Sequence, residues 1–202
     1  MRTKNSIILP ILFLFLLSSC VETIVVSSIT GASLASREKS FADTRNDLKI
    51  SSKIGFKFVV NVLKSPGNSV DITVNESRIM LTGIIRDAKK AKLANDLCWQ
   101  VKGVNEVIDE IQIRDNSAMS FADLGNAIKD YYLTLEIESK LLFTKNLNSL
   151  NFQITTVDSE VFIMGVAFDK QQLDNVIAII SKTNGVSKVI NHVILANDSR
   201  RS

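Results

Sequence analysis

The second half of the chain repeats the first at a constant spacing of 82 residues. Gly83 and Gly165 stand in equivalent apolar runs, and Gly103 and Gly185 each open a Gly-Val segment that leads into a Val-Ile run. Because both glycine pairs share one spacing, the two copies align without a gap between these points. A repeat of this length predicts two small modules of the same fold rather than one continuous domain.

Each copy predicts the element order α-β-β-α-β. Alternating runs on either side of Asn75-Glu76-Ser77 and of Asp158-Ser159 predict antiparallel hairpins with short turns. Asp87 and Asp169 then stand where a helix begins, because an aspartate at the N-cap accepts free backbone amides. A third β-prone run closes each copy and completes a small sheet.

Apolar periodicity predicts the first helix of each copy at residues 50–64 and 124–143. In the second of these, the stripe predicted to face the core contains Ile128, Leu135 and Leu142. We expect Gly103 and Gly185 to end the second helices at C′, where the left-handed conformation favours glycine.

These elements predict an α+β fold. It consists of two tandem αββαβ domains, residues 46–115 and 122–197, each a three-stranded mixed sheet packed on two helices. Cores of this size are marginal on their own, so we expect the two domains to form a compact pair.

The first twenty residues have the pattern of an export signal. Arg2 and Lys4 precede an apolar run, residues 7–17, that is too short to span a bilayer. The run ends in Leu17-Ser18-Ser19-Cys20, which resembles the lipobox of bacterial lipoproteins. The resemblance implies a signal peptide over residues 1–19, and a covalent diacylglycerol and an acyl chain (palmitate) at Cys20. The alternative is an ordinary cysteine beside a cleavage site.

Residues 20–45 are the predicted lipidated N-terminus and tether, because they show no core-facing periodicity. Val21, rather than an aspartate, follows Cys20. By resemblance to lipoprotein sorting rules, this favours the outer membrane over retention in the inner one.

The repeated pattern resembles the BON domain of periplasmic and lipid-anchored bacterial proteins. It shares the hairpin glycine, the capping aspartate, the helix-ending Gly-Val and the final Val-Ile strand. Two such domains after a lipobox resemble the dual-BON outer-membrane lipoproteins linked to envelope integrity and division sites. The resemblance implies a non-enzymatic protein without a cofactor, lipid-anchored and facing the periplasm. The alternative is a module that binds an envelope or division protein.

In this family the second domain contacts anionic phospholipid through the exposed side of its first helix. The resemblance assigns that contact to Lys129, Tyr132, Leu133 and Lys140. Glu136 and Glu138 stand where the family tends to carry basic residues, each worth about 1 kcal/mol near an anionic surface. The selectivity expected from the family is therefore weakened. The alternative is that Tyr131 and Tyr132 pack between the two domains.

Charge and composition argue against other functions. A net charge of +3 is too small for a nucleic-acid partner. The single histidine, His192, rules out a multi-histidine metal site and is expected to make an ordinary hydrogen bond from a strand. Cys98 is expected to be a buried hydrophobe, and Asp109 and Glu110, adjacent on a strand, to point to opposite faces.

Overall fold

The computed structural model describes residues 41–61, 63, 68–114 and 120–201. The predicted signal peptide, Cys20 and residues 21–40 of the predicted tether lie outside these residues. The described residues all belong to one compact unit, residues 34–202. Among the described helices, none is both long enough and apolar enough to cross a bilayer.

The first domain follows the predicted order of elements. It contains α1 (Phe41–Val60), β1 (Ser69–Asn75), β2 (Arg78–Ile85), α2 (Ala88–Trp99) and β3 (Glu106–Ile113).

The second domain repeats this order and adds a single 3-10 turn before its first strand. It contains α3 (Phe121–Leu142), the 3-10 turn (Ser149–Asn151), β4 (Phe152–Val157), β5 (Glu160–Ala167), α4 (Lys170–Ser181) and β6 (Lys188–Leu195).

Each domain has one three-stranded mixed sheet, as predicted. The hairpin strands pair antiparallel, and the third strand joins the second in parallel, giving the orders β1-β2-β3 and β4-β5-β6. The helix between the second and third strands provides the crossover that a parallel pair needs. Asp87 and Asp169 cap these helices, accepting from the backbone amides of Lys89 and Gln172.

The hairpin turns are fixed by an aspartate from the preceding helix. In the first domain, both turn residues, Glu76 and Ser77, have positive φ, which is the geometry of a type I′ turn. The buried carboxylate of Asp47 accepts their two backbone amides at 2.7 and 2.8 Å. Asp130 binds the Asp158-Ser159 turn at the same two distances. The helix and the hairpin are therefore locked together in both copies.

Gly83 and Gly165 are needed where the hairpin strands approach each other. Both have positive φ, and a Cβ atom at either position would lie about 2 Å from a backbone carbonyl oxygen, that of Ser69 in β1 or that of Asn151 just before β4. A side chain at either position would push the hairpin apart.

Two helix boundaries differ from the prediction. The first helix begins at Phe41 instead of Ile50, so the last part of the predicted tether is helical. Apolar periodicity does not detect this part of the helix, because its first two turns are mostly polar. These turns nevertheless place Asp47 next to the hairpin turn.

The second helices end at Trp99 and Ser181, four residues before Gly103 and Gly185. These glycines adopt φ of 98° and 95° in the turn that leads into the third strand, so the C′ assignment was wrong.

The two sheets pack face to face, with the helices outside. Each helix pair covers one side of its own sheet and encloses a separate core. The opposite sides of the sheets share a third core built from strand residues alone: Met80, Val157, Phe162 and Met164, with Ile84, Ile108 and Ile190 around them. The result is a four-layer sandwich, α1/α2, sheet, sheet, α3/α4, so the two helix layers face away from each other.

Polar contacts surround this third core and confirm that the two domains form a compact pair. The Arg201 guanidinium binds the Glu76 carboxylate through two bonds of 2.8 and 2.9 Å. His192 Nε2 lies 2.8 Å from Glu110 Oε1, and Arg86 pairs with Asp123 at 2.8 Å. Each of these contacts joins one domain to the other.

We expect Asp47→Ala to lower the free energy of unfolding of residues 34–202 by about 2 kcal/mol or more, because two turn amides lose their acceptor. Urea unfolding followed by circular dichroism measures the change. The matched control is Asp174→Ala, which removes a carboxylate paired with Lys170 at the surface and is expected to cost at most about 1 kcal/mol. Equal effects of the two substitutions would contradict the turn lock.

Candidate functional site

The start of α3 is fixed against the first domain. Ser120 and Asp123 form a capping box: the Ser120 hydroxyl accepts the Asp123 amide, and the Asp123 carboxylate accepts the Ser120 amide. The same carboxylate binds Arg86 at 2.8 Å and Arg114 at 3.1 Å. The hydrogen bonds from the Ser120 backbone and side chain, followed by the charge and hydrogen bond of Arg86, lower the pKa of Asp123. The helix is therefore held rigidly before its exposed side begins.

Leu133 does not belong to the exposed side of α3. Leu133, Ile137 and Leu141 follow one another at four-residue intervals and pack in the core against the second sheet. Leu133 is only 8% exposed, and its methyl groups lie beside Gly185. Its assignment to lipid contact was wrong, because a neighbour of Tyr132 in sequence lies about 100° away around a helix.

Three aromatic side chains run along the outer surface of α3. Phe121, Tyr132 and Phe143 are 95%, 66% and 82% exposed. They are spaced by eleven residues, close to three helical turns, so they lie nearly in line. Tyr132 is therefore exposed as the resemblance implies, and Tyr131 meets its ring edge-on at 5.9 Å. Sequence reasoning missed Phe121 and Phe143, although their spacing from Tyr132 was a usable signal.

A second apolar line lies beside these aromatics. Its large side chains are all exposed: Leu124, Ile128, Tyr131, Leu135 and Leu142. The prediction that Ile128, Leu135 and Leu142 face the core was therefore wrong. The helix therefore carries three apolar lines, and the sheet covers only the one that contains Leu133.

The charges on α3 are mixed, and some are already paired. Lys129 is exposed. Lys140 pairs with Glu136 at 2.8 Å and also donates to the Thr183 hydroxyl at 3.2 Å. Partial burial raises the pKa of Glu138. On the outer side of the helix, Glu136 and Glu138 balance Lys129 and Lys140, so that side has little attraction for anions.

Comparison with known proteins identifies the two repeats. The BON domain model matches residues 46–115 and 129–197, which together are more than half of the chain. The chain belongs to the BON domain family. Its observed fold, two αββαβ domains with three-stranded mixed sheets, is the one that the resemblance implied.

Several relatives share the tandem region. The chain is 30% identical over 135 residues to an uncharacterized protein in the gshII 5′ region of Anaplasma centrale, covering 66% of this chain and 86% of the relative. It is 25% identical over 175 residues to the outer membrane lipoprotein DolP of Haemophilus influenzae, an alignment that covers 86% of this chain and 87% of the relative. It is 24% identical over 121 residues to a 21 kDa hemolysin of Actinobacillus pleuropneumoniae, covering 60% of this chain and 59% of the relative.

A groove of about 310 Å³ lies between α3 and the sheet of the first BON domain. Three of its carboxylates are already engaged. Asp123 pairs with two arginines, Asp130 binds the hairpin turn, and Asp158 pairs with Arg114. Desolvation raises the pKa of Asp130, while the turn amides oppose that rise. These contacts make the groove part of the domain junction.

The remaining polar candidates have structural roles. His192 forms a hydrogen bond with Glu110 of β3 across the two sheets. Asp109, on the opposite face of β3, accepts a hydrogen bond from the Asn95 side chain of α2. The expected opposite orientations of Asp109 and Glu110 are confirmed. Among the described residues, no cluster of three metal-binding side chains occurs.

Cys98 is fully buried in the core of the first BON domain. Burial, aided by the charge of Asp109, raises the pKa of its thiol to about 12. The expectation of a buried hydrophobe is confirmed.

We expect the folded protein to resist thiol labelling. With the pKa of Cys98 near 12, fewer than about one thiol in a thousand is ionised at about pH 8, and the thiolate is the reactive form. Residues 34–202 contain Cys98 as their single cysteine, so labelling with a chromogenic disulfide reagent reads this site alone. The reaction should be at least about 100-fold slower than in urea. Rapid labelling without unfolding would contradict the buried position.

Proposed function

We propose that this protein is a non-enzymatic, lipid-anchored outer-membrane protein that faces the periplasm. It supports envelope integrity through contact between its second BON domain and membrane phospholipid. The name of the Haemophilus influenzae relative, an outer membrane lipoprotein, supports the location, since it aligns over 86% of this chain. The lipobox that ends at Cys20 supports the anchor.

The outer side of α3 is the observation that carries the proposal. Two neighbouring lines of large apolar side chains run along a 22-residue helix, and the described chain leaves them exposed. A helix of this length is about 33 Å long. Such a surface suits the boundary between headgroups and acyl chains, where an amphipathic helix buries its apolar side.

The three aromatic residues determine how the contact is made. Tyr132 places a ring at the level of the acyl chains and its hydroxyl among the headgroups, which is why tyrosine is enriched at membrane interfaces. Phe121 and Phe143 place rings among the acyl chains at the two ends of the helix. They have no polar group to reach the headgroups. Lys129 and Lys140 add headgroup contacts, while Glu136 and Glu138 oppose anionic lipid. The binding therefore rests on apolar insertion, and salt should change it little.

The anchor makes weak contact sufficient. Each buried methylene of an acyl chain contributes about 0.8 kcal/mol, so several chains at Cys20 hold the protein at the membrane. The 20 residues between Cys20 and Phe41 span at most about 70 Å. The BON domains thus stay close to the bilayer at high local concentration.

A protein partner is the second candidate, and the same surface favours it. An amphipathic helix with an apolar stripe between acidic residues also fits a groove on another protein. In that case an envelope or division protein would cover the side of α3 that contains Leu135 and Leu142.

We expect the variant Tyr132→Ala, Phe143→Ala to bind phosphatidylcholine vesicles at least about tenfold more weakly than the parent, because each aromatic contributes about 1 kcal/mol or more at the interface. Flotation of residues 34–202 with the vesicles measures the bound fraction. Phe168→Ala is the matched control, since it removes an exposed aromatic outside α3. Its binding should equal that of the parent.

The same experiment separates the two candidates. Equal flotation of parent and double variant, with both proteins folded by circular dichroism, would contradict membrane contact by α3. Cross-linking from position 135 to one envelope protein, in the absence of vesicle binding, would favour the partner.

The anchor has its own test. We expect Cys20→Ala to abolish incorporation of labelled palmitate and to release the protein from the membrane fraction, because the sequence offers no other acylation site of this type. Cys98→Ala is the control. It should keep both palmitate incorporation and membrane association, since the Cys98 thiol is buried. Palmitate incorporation by the Cys20 variant would contradict the assignment.

A further inference from the structure

The helix layer of the first BON domain is more basic than that of the second. Helices α1 and α2 carry seven lysines and arginines against three aspartates. Helices α3 and α4 carry three lysines against five carboxylates. The chain as a whole is nearly balanced, with a net charge of +3. The positive charge is therefore concentrated on one outer layer of the sandwich.

Part of this charge lies on one side of α1 together with an exposed aromatic. Lys49, Lys53, Phe56 and Val60 follow one another at intervals of four, three and four residues, which places them on the same side of a helix. All four are exposed, and Phe56 is 71% exposed. This side points away from the core, because the buried line of α1 runs through Ile50, Ile54 and Phe58.

The end of α2 extends this surface. Lys57 Nζ donates to Gln100 Oε1 at 2.9 Å and joins the two helices. A groove of about 620 Å³ beside this bond is lined by Lys53, Phe56, Lys57 and Lys102, with no carboxylate among its described lining residues. Trp99, next to Gln100, is 53% exposed. We call the surface formed by Lys49, Lys53, Phe56, Lys57, Val60 and Lys102 the basic face; Trp99 stands at the end of α2 beside it.

We propose that the basic face docks on the surface of an anionic phospholipid bilayer. Its lysines complement phosphate headgroups, and each basic residue near such a surface strengthens binding about fivefold. Its exposed Phe56 and Val60 gain from an apolar phase that an aqueous polyanion does not supply. A bilayer offers both within a few ångströms, with the aromatic side chains at the interface. The lysine stems add apolar contact while their amines reach the headgroups.

This docking is separate from the contact proposed for α3. The two helix layers lie on opposite sides of the sandwich, so one flat bilayer meets only one of them at a time. The two contacts also differ in kind, since the basic face depends on charge and the outer side of α3 on apolar insertion. Either proposal therefore stands if the other fails.

Trp99 is the single tryptophan of the chain and precedes Gln100 at the end of α2, so its fluorescence reports contact at this end of the first BON domain, beside the basic face. Residues 34–202 are titrated with vesicles of about equal parts phosphatidylglycerol and phosphatidylcholine, or of phosphatidylcholine alone, at about 20 mM salt. We expect a blue shift of Trp99 emission with the anionic vesicles and none with the neutral ones. Salt at about 0.5 M should abolish it, because the charges are then screened within a few ångströms.

The variant Lys49→Gln, Lys53→Gln should weaken this response about 25-fold, since two basic residues are lost. The matched control is Lys145→Gln, Lys182→Gln, which removes two exposed lysines of the second BON domain and should respond like the parent. The variant Tyr132→Ala, Phe143→Ala should also keep the Trp99 shift, because it leaves the basic face intact.

Three results would overturn the proposal when thermal melting shows folded protein. One is a Trp99 emission that anionic vesicles leave unchanged at low salt. Another is an equal response of the two lysine variants. The third is a blue shift with a soluble acidic polypeptide but not with anionic vesicles, which would assign the basic face to an acidic protein. Vesicle binding that depends on Tyr132 and Phe143, without a Trp99 shift, would support α3 and reject the basic face.

Discussion

The packing of sheet against sheet determines what the rest of the molecule is able to do. Met80 and Met164 meet Phe162 between the two domains, in a core to which no helix contributes. Because this contact occupies the inner side of both sheets, each helix pair is confined to the outside. Two small domains that bury little surface alone thus gain a shared core. The cost is that their outer helices face opposite directions, which separates whatever those helices bind.

The duplication has kept the internal contacts of the domain while its outer side chains have diverged. Asp47 and Asp130, 83 residues apart, fix the hairpin turns in the same way, and Lys57 and Lys140 both reach the end of the neighbouring helix. At the same spacing, Lys53 of α1 corresponds to Glu136 of α3. Turn and cap contacts are required by the fold, whereas an outward side chain has no such constraint. Differences between the copies therefore point to function.

Local rules predicted the fold better than the site. The N-cap aspartates, the short hairpin turns and the mixed sheets follow from short stretches of sequence, and all are present. The assignment of Leu133 failed because α3 carries three apolar lines, and periodicity does not say which line a sheet covers. The early start of α1 was missed because polar turns give no periodic signal. The basic face escaped notice because α1 and α2, which together create it, are about 30 residues apart.

The two outer layers should act over different distances. Charges attract across about 10 Å of solution at 0.1 M salt, whereas apolar side chains gain nothing until water leaves the contact. If the proposed anchor at Cys20 holds the BON domains within about 70 Å of a bilayer, their lysines orient them before the aromatic side chains of α3 make contact. Docking through α1 and α2 leaves α3 on the far side, with Tyr132 and Phe143 exposed. In that orientation the apolar side of α3 is free to meet a second surface. The lysines must leave the bilayer before α3 is able to turn toward it. The order of the two contacts thus follows from their range.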